Sequence, residues 1–412
     1  MELLSPAGSF SSLISAIKAG ADSIYFGAGN LNMRSRSSYN FGIHDIKKVA
    51  KLCRLYGVKS YLTLNTIIYD EELVEAKKLL EIARDVGVTS VIASDIAVIT
   101  MAHNMGLSVH ISVQANVSNT EAVKFYSKYA NVMVLARELN LKQITDIVEQ
   151  INGKAGGPVI TGPSGDPIKI EIFAHGALCV SVSGKCYMSL AKYNTSANRG
   201  ACYQNCRRAY RVIDEEDGSE LVIDNKFVMS PKDICLIRYL DKITSAGVSI
   251  IKIEGRGRSS DYVYTVTKAY REAIDSIKNN SYTQDKVDEW EKKLKSVFNR
   301  GFWHGGYYLG ESSEMWSGKG ENQAEKKKAR VGFVNNYYGK VQVAEIELND
   351  GELSVGSEVV ITGKTTGCLY SIVREIRVDH KSVNHAPKGA LISIPLVQKV
   401  RKGDEVFMLI SN

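Results

Sequence analysis

The stretch "KLCRLYGVKSYLTLN", residues 51–65, contains one complete unit of a pattern that fills the first 280 residues. A helical segment ends at Gly57, a residue that can close a helix in a left-handed turn, and a mainly apolar run follows at once. The same unit recurs as "AIKAGADSIYFGAG" at 16–29, "IARDVGVTSVIASD" at 82–95, "AHNMGLSVHISVQAN" at 102–116 and "KITSAGVSIIKIEG" at 242–255. The repeat predicts strands that alternate with helices.

Eight such apolar runs are spread along this region. They lie at 2–7, 23–28, 59–64, 90–94, 108–114, 131–136, 169–174 and 249–255. Near-continuous apolar strands separated by helices indicate a parallel sheet that is buried on both faces. Eight units favour an α/β fold of the TIM-like (β/α)8 barrel type over residues 1–300, with a doubly wound open sheet as the alternative. No strand is followed by Gly-x-Gly-x-x-Gly or a Walker-type motif, which also favours the barrel.

The remainder of the chain has a different character. Residues 301–328 are mostly polar and charged, with Gly and Ser, and are interpreted as a linker. Residues 329–412 alternate short apolar strands with glycine-containing turns, a pattern typical of a small all-β barrel domain.

Composition limits the compartment and the partners. The 412 residues carry a formal net charge of +7, a mildly basic balance that permits an RNA partner without requiring one. No apolar run reaches the roughly 18 to 20 residues that a membrane span needs, and "MELLSPAGSF" at 1–10 lacks the features of a signal peptide. We therefore expect a cytoplasmic protein with no membrane partner, whose thiols stay reduced.

Five of the seven cysteines fall in an insertion, residues 175–235, between the seventh and eighth predicted strands. The first four follow the spacing Cys-x6-Cys-x15-Cys-x3-Cys; the five are Cys179, Cys186, Cys202, Cys206 and Cys235. Clustered thiols in a reducing compartment more often bind metal than form disulfides. A zinc site usually shows two Cys-x2–4-Cys pairs, so the spacing favours an iron–sulfur cluster, with zinc and metal-free cysteines as alternatives.

Polar residues mark the ends of the predicted strands, where barrel enzymes place their active sites. They are Asn65, Asp95, Gln114, Arg137, His175, Lys252, Glu254 and Arg256. Any one of them has a structural alternative, and Asp95 in particular could cap the helix that begins "IAVITMA". Together they predict a polar pocket that accepts anions.

Four stretches resemble the peptidase U32 family. They are "MELLSPAGSFSSLISAIKAGADSIYFG" at 1–27, "EIFAHGALCVSVSGKCYMS" at 171–189, "NRGACYQNCRRAY" at 198–210, and "MSPKDICLI" at 229–237 with "IKIEGRGRSSDYV" at 251–263. The family name reflects an early protease assignment. Its better-understood bacterial members are oxygen-independent hydroxylation proteins with a [4Fe–4S] cluster, acting on the tRNA wobble uridine, on ribosomal RNA or on the ubiquinone ring. The loop "NMRSRSSYNF" at 32–41 matches the family at Arg34, Asn40 and Phe41 but has Ser37 or Ser38 at an alanine position.

The resemblance is nearest to the tRNA branch, and it implies prephenate-dependent formation of 5-hydroxyuridine. It implies Cys179, Cys186, Cys202 and Cys206 as cluster ligands, with Cys235 as the alternative fourth. It also implies tRNA as a partner, prephenate as the hydroxyl donor, and a homologous U32 subunit as a further candidate partner. The alternatives are hydroxylation of ribosomal RNA or a quinone, peptidase activity, and a non-catalytic RNA-binding or cluster-carrying adaptor.

Six further residues are assigned to this chemistry. Arg137, Arg199 and Arg256 are candidates to bind the dicarboxylate prephenate, because guanidinium groups pair with carboxylates in a bidentate manner. Glu171, His175 and Glu254 are candidates for proton transfer. A protease is disfavoured, because the sequence has no His-Glu-x-x-His, Gly-x-Ser-x-Gly or Asp-Thr-Gly motif, although a Cys179–His175 dyad is conceivable.

Overall fold

Strands and helices alternate through the first 177 residues. The computed structural model describes residues 1–36, 40–154, 156–221, 227, 229–305, 308, 315–317 and 322–411. Strands β1 to β7 are Glu2–Ala7, Ser23–Gly27, Lys59–Leu64, Ser90–Ala93, Ser108–Ile111, Val132–Val134 and Lys169–Ala177. The helices that follow the first six strands are α1 Phe10–Lys18, α2 Asp45–Leu55, α3 Leu73–Asp85, α4 Ile96–Asn104, α5 Thr120–Tyr126 and α6 Leu141–Ile151. Gly57, after α2, has a φ of +68°, as its place in the repeat predicts.

The chain then leaves the barrel and returns to close it. The next elements are α7 Met188–Tyr193, β8 Val212–Ile213, β9 Glu220–Leu221, β10 Asp233–Cys235, α8 Leu240–Ser245 and β11 Ile250–Ile253. Strand β11 pairs in parallel with both β7 and β1, so eight parallel strands form a closed ring. The predicted (β/α)8 barrel with an insertion between its seventh and eighth strands is therefore confirmed, and the open sheet is excluded.

The barrel sheet extends outward on one side. After β11 come α9 Ser260–Lys278, α10 Gln284–Lys295 and β12 Phe302–His304. Strand β10 pairs antiparallel with β7, and β12 pairs in parallel with β10. Since the next strand begins at Lys326, both ends of the predicted linker 301–328 belong to sheets.

The C-terminal residues form the predicted all-β module. Its strands are β13 Lys326–Tyr338, β14 Val343–Glu347, β15 Leu353–Ser354, β16 Glu358–Gly363, β17 Gly367–Ile372, β18 Ile376–Val378, β19 Lys381–Val383, β20 His385–Ala386, β21 Leu391–Pro395 and β22 Glu405–Ser411. Eight of them make an antiparallel sheet with a separate apolar core. The module packs against the barrel, where Lys18 Nζ donates to the Thr366 carbonyl at 2.7 Å.

Alternation along the barrel strands separates two layers. Side chains such as Ile251 and Ile253 face outward into the main core beneath the helices. Leu4, Tyr25 and Ile250 fill the barrel interior, so the C-terminal ends of the strands are left for a site. Among the described residues, no helix combines the length and the apolar character that crossing a bilayer requires.

Candidate functional site

A cavity of about 160 Å³ lies between the C-terminal ends of the barrel strands and the cysteine-containing insertion. The barrel contributes Tyr25, Arg34, Thr63, Asn65, Ile92, Gln114, Arg137, Phe173, Lys252, Glu254 and Arg256 to its walls. The insertion contributes Cys179, Cys186, Met188, Cys202, Asn205, Cys206 and Arg207. The insertion thus forms a roof over the barrel mouth.

Two contacts fasten this roof to neighbouring loops. Arg199 donates from Nη1 and Nη2 to the Glu72 carboxylate at 2.8 and 2.7 Å, and its guanidinium stacks on the ring of Tyr69. Gly200 has a φ of +84°, and a Cβ atom there would lie 2.2 Å from the Ser35 hydroxyl. The predicted role of Arg199 in binding a dicarboxylate is corrected accordingly, since both terminal nitrogens are paired with Glu72 outside the cavity.

A third contact joins the two ends of the insertion. The guanidinium of Arg207 donates to the carbonyls of Leu178 and Pro231 and to the hydroxyl of Ser230. Leu178 immediately precedes Cys179, and Arg207 immediately follows Cys206. Arg207 therefore ties together the backbone segments that carry Cys179 and Cys206, the first and last cysteines of the set.

The four thiols of the set face the same cavity. Burial raises the pKa of the Cys206 thiol, Arg207 opposes that effect, and the thiols of Cys179, Cys202 and Cys186 raise the pKa further. Thiolates that repel one another in this way are stabilised when a cationic metal centre is placed among them. A hydrogen bond to sulfur is also present, since the Met188 backbone N–H donates to Cys186 Sγ at 3.4 Å.

The four thiols have the chemistry of metal ligands. Among the described residues, no group of three or more His, Cys, Asp or Glu side chains is placed to bind one metal ion. Tetrahedral zinc takes its sulfur ligands about 2.3 Å from one point, whereas a [4Fe–4S] cluster takes one thiolate at each of four irons.

Cys235 lies elsewhere. It is fully buried in β10, where burial raises the pKa of its thiol to about 12. Its strand register places it opposite His175, and the Tyr270 hydroxyl lies beside it. The alternative that Cys235 is the fourth ligand is corrected, because its side chain is part of the packed layer outside the barrel strands.

Cations dominate the wall of the cavity. Arg256 donates from Nη1 to Thr63 Oγ1 at 2.8 Å and to Asn32 Oδ1 at 3.1 Å. Arg137 donates to the Ala177 carbonyl at 3.3 Å and lies 4.0 Å above the ring of Phe173. The Nε–H groups of both arginines are buried and have no acceptor within the described structure. The wall contains five cationic side chains and one carboxylate among the residues that line the cavity, and this balance favours an anionic ligand.

Arg34 completes this wall, and the strand-end pattern did not identify it. Its Nη2 lies 3.2 Å from Glu254 Oε1, and it reaches the cavity from the loop after β2. The available signal was the match of "NMRSRSSYNF" to the family at Arg34. The predicted departure at Ser37 or Ser38 lies outside the described residues.

Glu254 is the carboxylate that faces the cavity. Burial acts to raise the pKa of Glu254, but Arg34, Arg256 and Arg137 outweigh it and hold the pKa below its usual value. The Tyr25 hydroxyl donates to Glu254 Oε2 at 3.2 Å and to the Ile253 carbonyl at 2.8 Å. Glu254 is therefore an ionised acceptor at neutral pH, and it is paired with Arg34.

Glu171 lies one layer deeper in the barrel. It is fully buried and accepts from Lys252 Nζ at 2.8 Å, while His110 Nδ1 lies 3.1 Å from its other oxygen. Burial acts to raise the pKa of Glu171, yet Lys252 and His110 prevail and hold it at about 2. Glu171 does not line the cavity, so it is corrected from a proton-transfer group to the partner that fixes Lys252 in the cavity floor.

His175 points away from the cavity. Its ring packs against Tyr262, Tyr270 and Phe302, and only 1% of the residue is exposed. Burial, with a smaller contribution from His304, lowers its pKa to about 3. A change of register places Phe173 opposite Lys252 but His175 opposite the outward-facing Ile253. This β-bulge reverses the alternation of side chains, so the predicted proton-transfer role of His175 is corrected.

Of the remaining strand-end residues, Asn65 and Gln114 line the cavity, whereas Asp95 caps a helix. Asn65 Nδ2 donates to Gln114 Oε1 at 3.1 Å, and both residues line the cavity. Asp95 instead caps α4 by accepting from the Ala97 backbone N–H at 2.9 Å, and it also accepts from Ile68 N–H. For Asp95 the structural alternative is the correct one.

Comparison with known proteins assigns this chain to a family. The family model described as "Peptidase family U32" matches residues 8–318. A protein of Porphyromonas gingivalis named "Collagenase" is 48% identical over 98% of this chain and 97% of its own length. The "tRNA hydroxylation protein P1" of Bacillus subtilis is 30% identical over 84% of this chain and 80% of its own. A 23S rRNA 5-hydroxycytidine synthase of Escherichia coli is 36% identical over 67% of this chain and 40% of its own. The chain therefore belongs to peptidase family U32.

Proposed function

We propose that the protein is an RNA-modifying enzyme that hydroxylates the tRNA wobble uridine to 5-hydroxyuridine without dioxygen, using a [4Fe–4S] cluster and prephenate as hydroxyl donor. The observation that carries this proposal is the convergence of four thiols and a cationic wall on one cavity. The names of the Bacillus subtilis and Escherichia coli relatives, one acting on tRNA and one on ribosomal RNA, support an RNA substrate. Cytoplasmic location and a second U32 chain as partner belong to the same proposal.

The cationic wall would bind the co-substrate. Arg137 and Arg256 place two guanidinium groups in the wall, and prephenate carries two carboxylates. Guanidinium–carboxylate pairs away from water fix both the position and the orientation of the ligand. Lys252, held by Glu171, places a further fixed positive charge in the floor.

Cys179, Cys186, Cys202 and Cys206 would hold the cluster, which supplies redox and Lewis-acid chemistry at the cavity when it is bound. Replacing the hydrogen at C5 of uracil by a hydroxyl group removes two electrons from the ring. In this proposal the C–O bond of the hydroxyl donor breaks with its electron pair retained by the donor, the C5–O bond forms, and the hydrogen of C5 leaves as a proton to a base. Glu254 is ionised and faces the cavity, with its orientation fixed by Arg34 and Tyr25. Its carboxylate is therefore the group assigned to receive that proton.

Peptidase activity is the second candidate, because the Porphyromonas gingivalis relative is named a collagenase. The conceivable cysteine–histidine dyad is not formed. His175 is enclosed by aromatic rings outside the barrel strands, whereas Cys179 is exposed and its thiol lies 3.2 Å from the Ser181 hydroxyl. A nucleophile without a base in contact with it lacks the activation that such catalysis needs.

Two measurements test the proposed function. Protein purified without oxygen is expected to absorb broadly near ~400 nm and to contain about four irons per chain. Cys186→Ala is expected to remove both signals. Nucleoside analysis of tRNA from a strain lacking the gene is then expected to show loss of 5-hydroxyuridine and its derivatives. Colourless protein with one zinc per chain, or unchanged tRNA nucleosides, would contradict the proposal, and collagen cleavage by the iron-free protein would support the peptidase instead.

A further inference from the structure

The thiol-bearing part of the roof is locally basic. Residues 175–211 contain six Lys and Arg residues and no Asp or Glu, whereas residues 212–221 contain five Asp and Glu residues. The insertion 175–235 as a whole carries eight basic and seven acidic residues, so the positive charge belongs to its first part. A locally basic surface attracts polyanions.

Three of the six cations are free to face solvent from the roof. Arg199 is paired with Glu72, Arg207 is bound to backbone carbonyls, and Arg211 lies 3.6 Å from Glu220. Lys185, Lys192 and Arg208 are the other three, and all are exposed. They give this part of the roof exposed positive charge that can contact a polyanion.

Exposed aromatic rings are interleaved with these cations. Tyr187, Tyr193 and Tyr203 are 77%, 37% and 47% exposed, although rings of this size usually bury most of their surface. The Tyr193 and Tyr203 ring centroids are 5.0 Å apart, and the Arg208 guanidinium is 5.6 Å from the Tyr193 centroid. The roof surface is defined here by Lys185, Tyr187, Lys192, Tyr193, Tyr203 and Arg208.

Two of the rings are adjacent in the chain to cysteines of the cavity wall. Tyr187 follows Cys186 and Tyr203 follows Cys202, and both cysteines line the cavity while both tyrosines are exposed. A ligand on the roof surface would therefore contact residues next to those of the cavity wall. Base-paired RNA presents phosphates but buries the faces of its bases, whereas unpaired bases can be splayed out and stacked on aromatic side chains.

We propose that the roof surface binds an unpaired RNA loop, with bases stacked on Tyr187 and Tyr203 and phosphates near Lys185, Lys192 and Arg208. This inference rests on the proposed function, because the loop delivers its target base to the cavity. It specifies that the RNA is recognised through single-stranded nucleotides that flank the target.

The test compares the holoprotein with ring variants. Fluorescence anisotropy would measure binding of an RNA hairpin with an unpaired uridine-containing loop and of a blunt duplex with the same stem. Tyr187→Ala and Tyr203→Ala are each expected to weaken hairpin binding about tenfold, whereas the Phe variants keep the affinity because they keep the stacking face. Tyr56→Ala is the matched control, since Tyr56 is 54% exposed at the end of α2 that lies away from the cavity.

Salt dependence separates the role of the cations from that of the rings. Removing Lys192 and Arg208 together is expected to reduce the slope of log affinity against log salt by about 0.7 per charge lost. The ring variants are expected to leave that slope unchanged. Iron content is measured in every variant, so that a loss of the metal centre is distinguished from a loss of stacking.

The outcomes also distinguish this inference from the proposed function. Equal binding of hairpin and duplex, or wild-type affinity in a variant that combines Tyr187→Ala with Tyr203→Ala, would overturn the inference even if tRNA nucleosides change in the deletion strain. Ring-dependent hairpin binding with unchanged nucleosides would leave the roof surface established and the proposed function contradicted. Dimerisation abolished by the same double variant, without RNA binding, would assign the surface to a second copy of the chain and overturn the inference.

Discussion

The cavity wall and the packed layer outside the barrel strands use the same residue types for different purposes. Cys206 faces the cavity together with three other thiols. Cys235, in β10, is fully buried, with Tyr270 of α9 beside its thiol. Arg137 carries a buried Nε–H that has no acceptor in the described part of the chain, whereas Arg199 has both terminal nitrogens on Glu72. Whether a cysteine or arginine can bind a ligand therefore depends on what its side chain faces. Neither the residue type nor a position near a strand end determines this.

The cysteine pair gives the largest expected contrast. Cys206→Ala removes one of the four cavity thiols and is expected to abolish the absorbance near ~400 nm and most of the iron. Cys235→Ala is expected to retain about four irons and to cost only about 1 kcal/mol of unfolding free energy, from lost packing. Iron assays on both proteins, purified without oxygen, measure the contrast. Loss of iron in Cys235→Ala with retention in Cys206→Ala would reverse the assignment of the fourth ligand.

The arginine pair is expected to differ by a smaller factor. Arg137→Lys keeps the charge but loses the planar fork, so prephenate binding is expected to weaken about 10- to 100-fold, as loss of hydrogen bonds to a charged group implies. Arg199→Lys alters the contacts with Glu72 and Tyr69, which lie outside the cavity, and is expected to change the affinity for prephenate about twofold or less. Titration calorimetry with prephenate compares the two. An equal loss of prephenate affinity in both variants would show that the contact between Arg199 and Glu72, rather than the cavity wall, controls binding.

His175 is expected to affect the pH dependence of stability, unlike the ionised groups of the cavity wall that it resembles in sequence position. The pKa of His175 is about 3 in the folded protein, so its contribution is complete above the unfolded pKa of about 6.5 and is lost as pH falls from there toward 3. Protonation of His175 in the unfolded chain costs about 2 kcal/mol of stability at pH 5. His175→Phe should therefore show a smaller fall in Tm between pH 7.5 and pH 5 than the wild-type protein. An unchanged fall in His175→Phe would mean that the ring is accessible to protons.

The smallest effect concerns a strand-end residue that does not reach the cavity. Asp95→Ala removes the N-cap of α4 and is expected to lower the unfolding free energy by about 1 kcal/mol. Iron content and prephenate affinity are expected to stay at wild-type values. Asp95→Asn is expected to restore part of the stability, because its amide oxygen can accept from Ala97 N–H but its NH2 group cannot accept from Ile68 N–H. Altered prephenate affinity in Asp95→Ala would place this carboxylate in the functional site after all.

The sequence by itself determined the barrel, because each of its eight strands is short, apolar and bounded by a helix and a turn residue whose conformational needs are local. Near the site it also determined which strand ends carry polar groups, and Lys252, Glu254 and Arg256 face the cavity as regular alternation predicts. Only the tertiary structure decided the cases of His175, Arg199 and Cys235. A one-residue bulge in β7, an ion pair between distant loops and an added strand outside the barrel depend on contacts between segments far apart in the chain, and no local pattern encodes them.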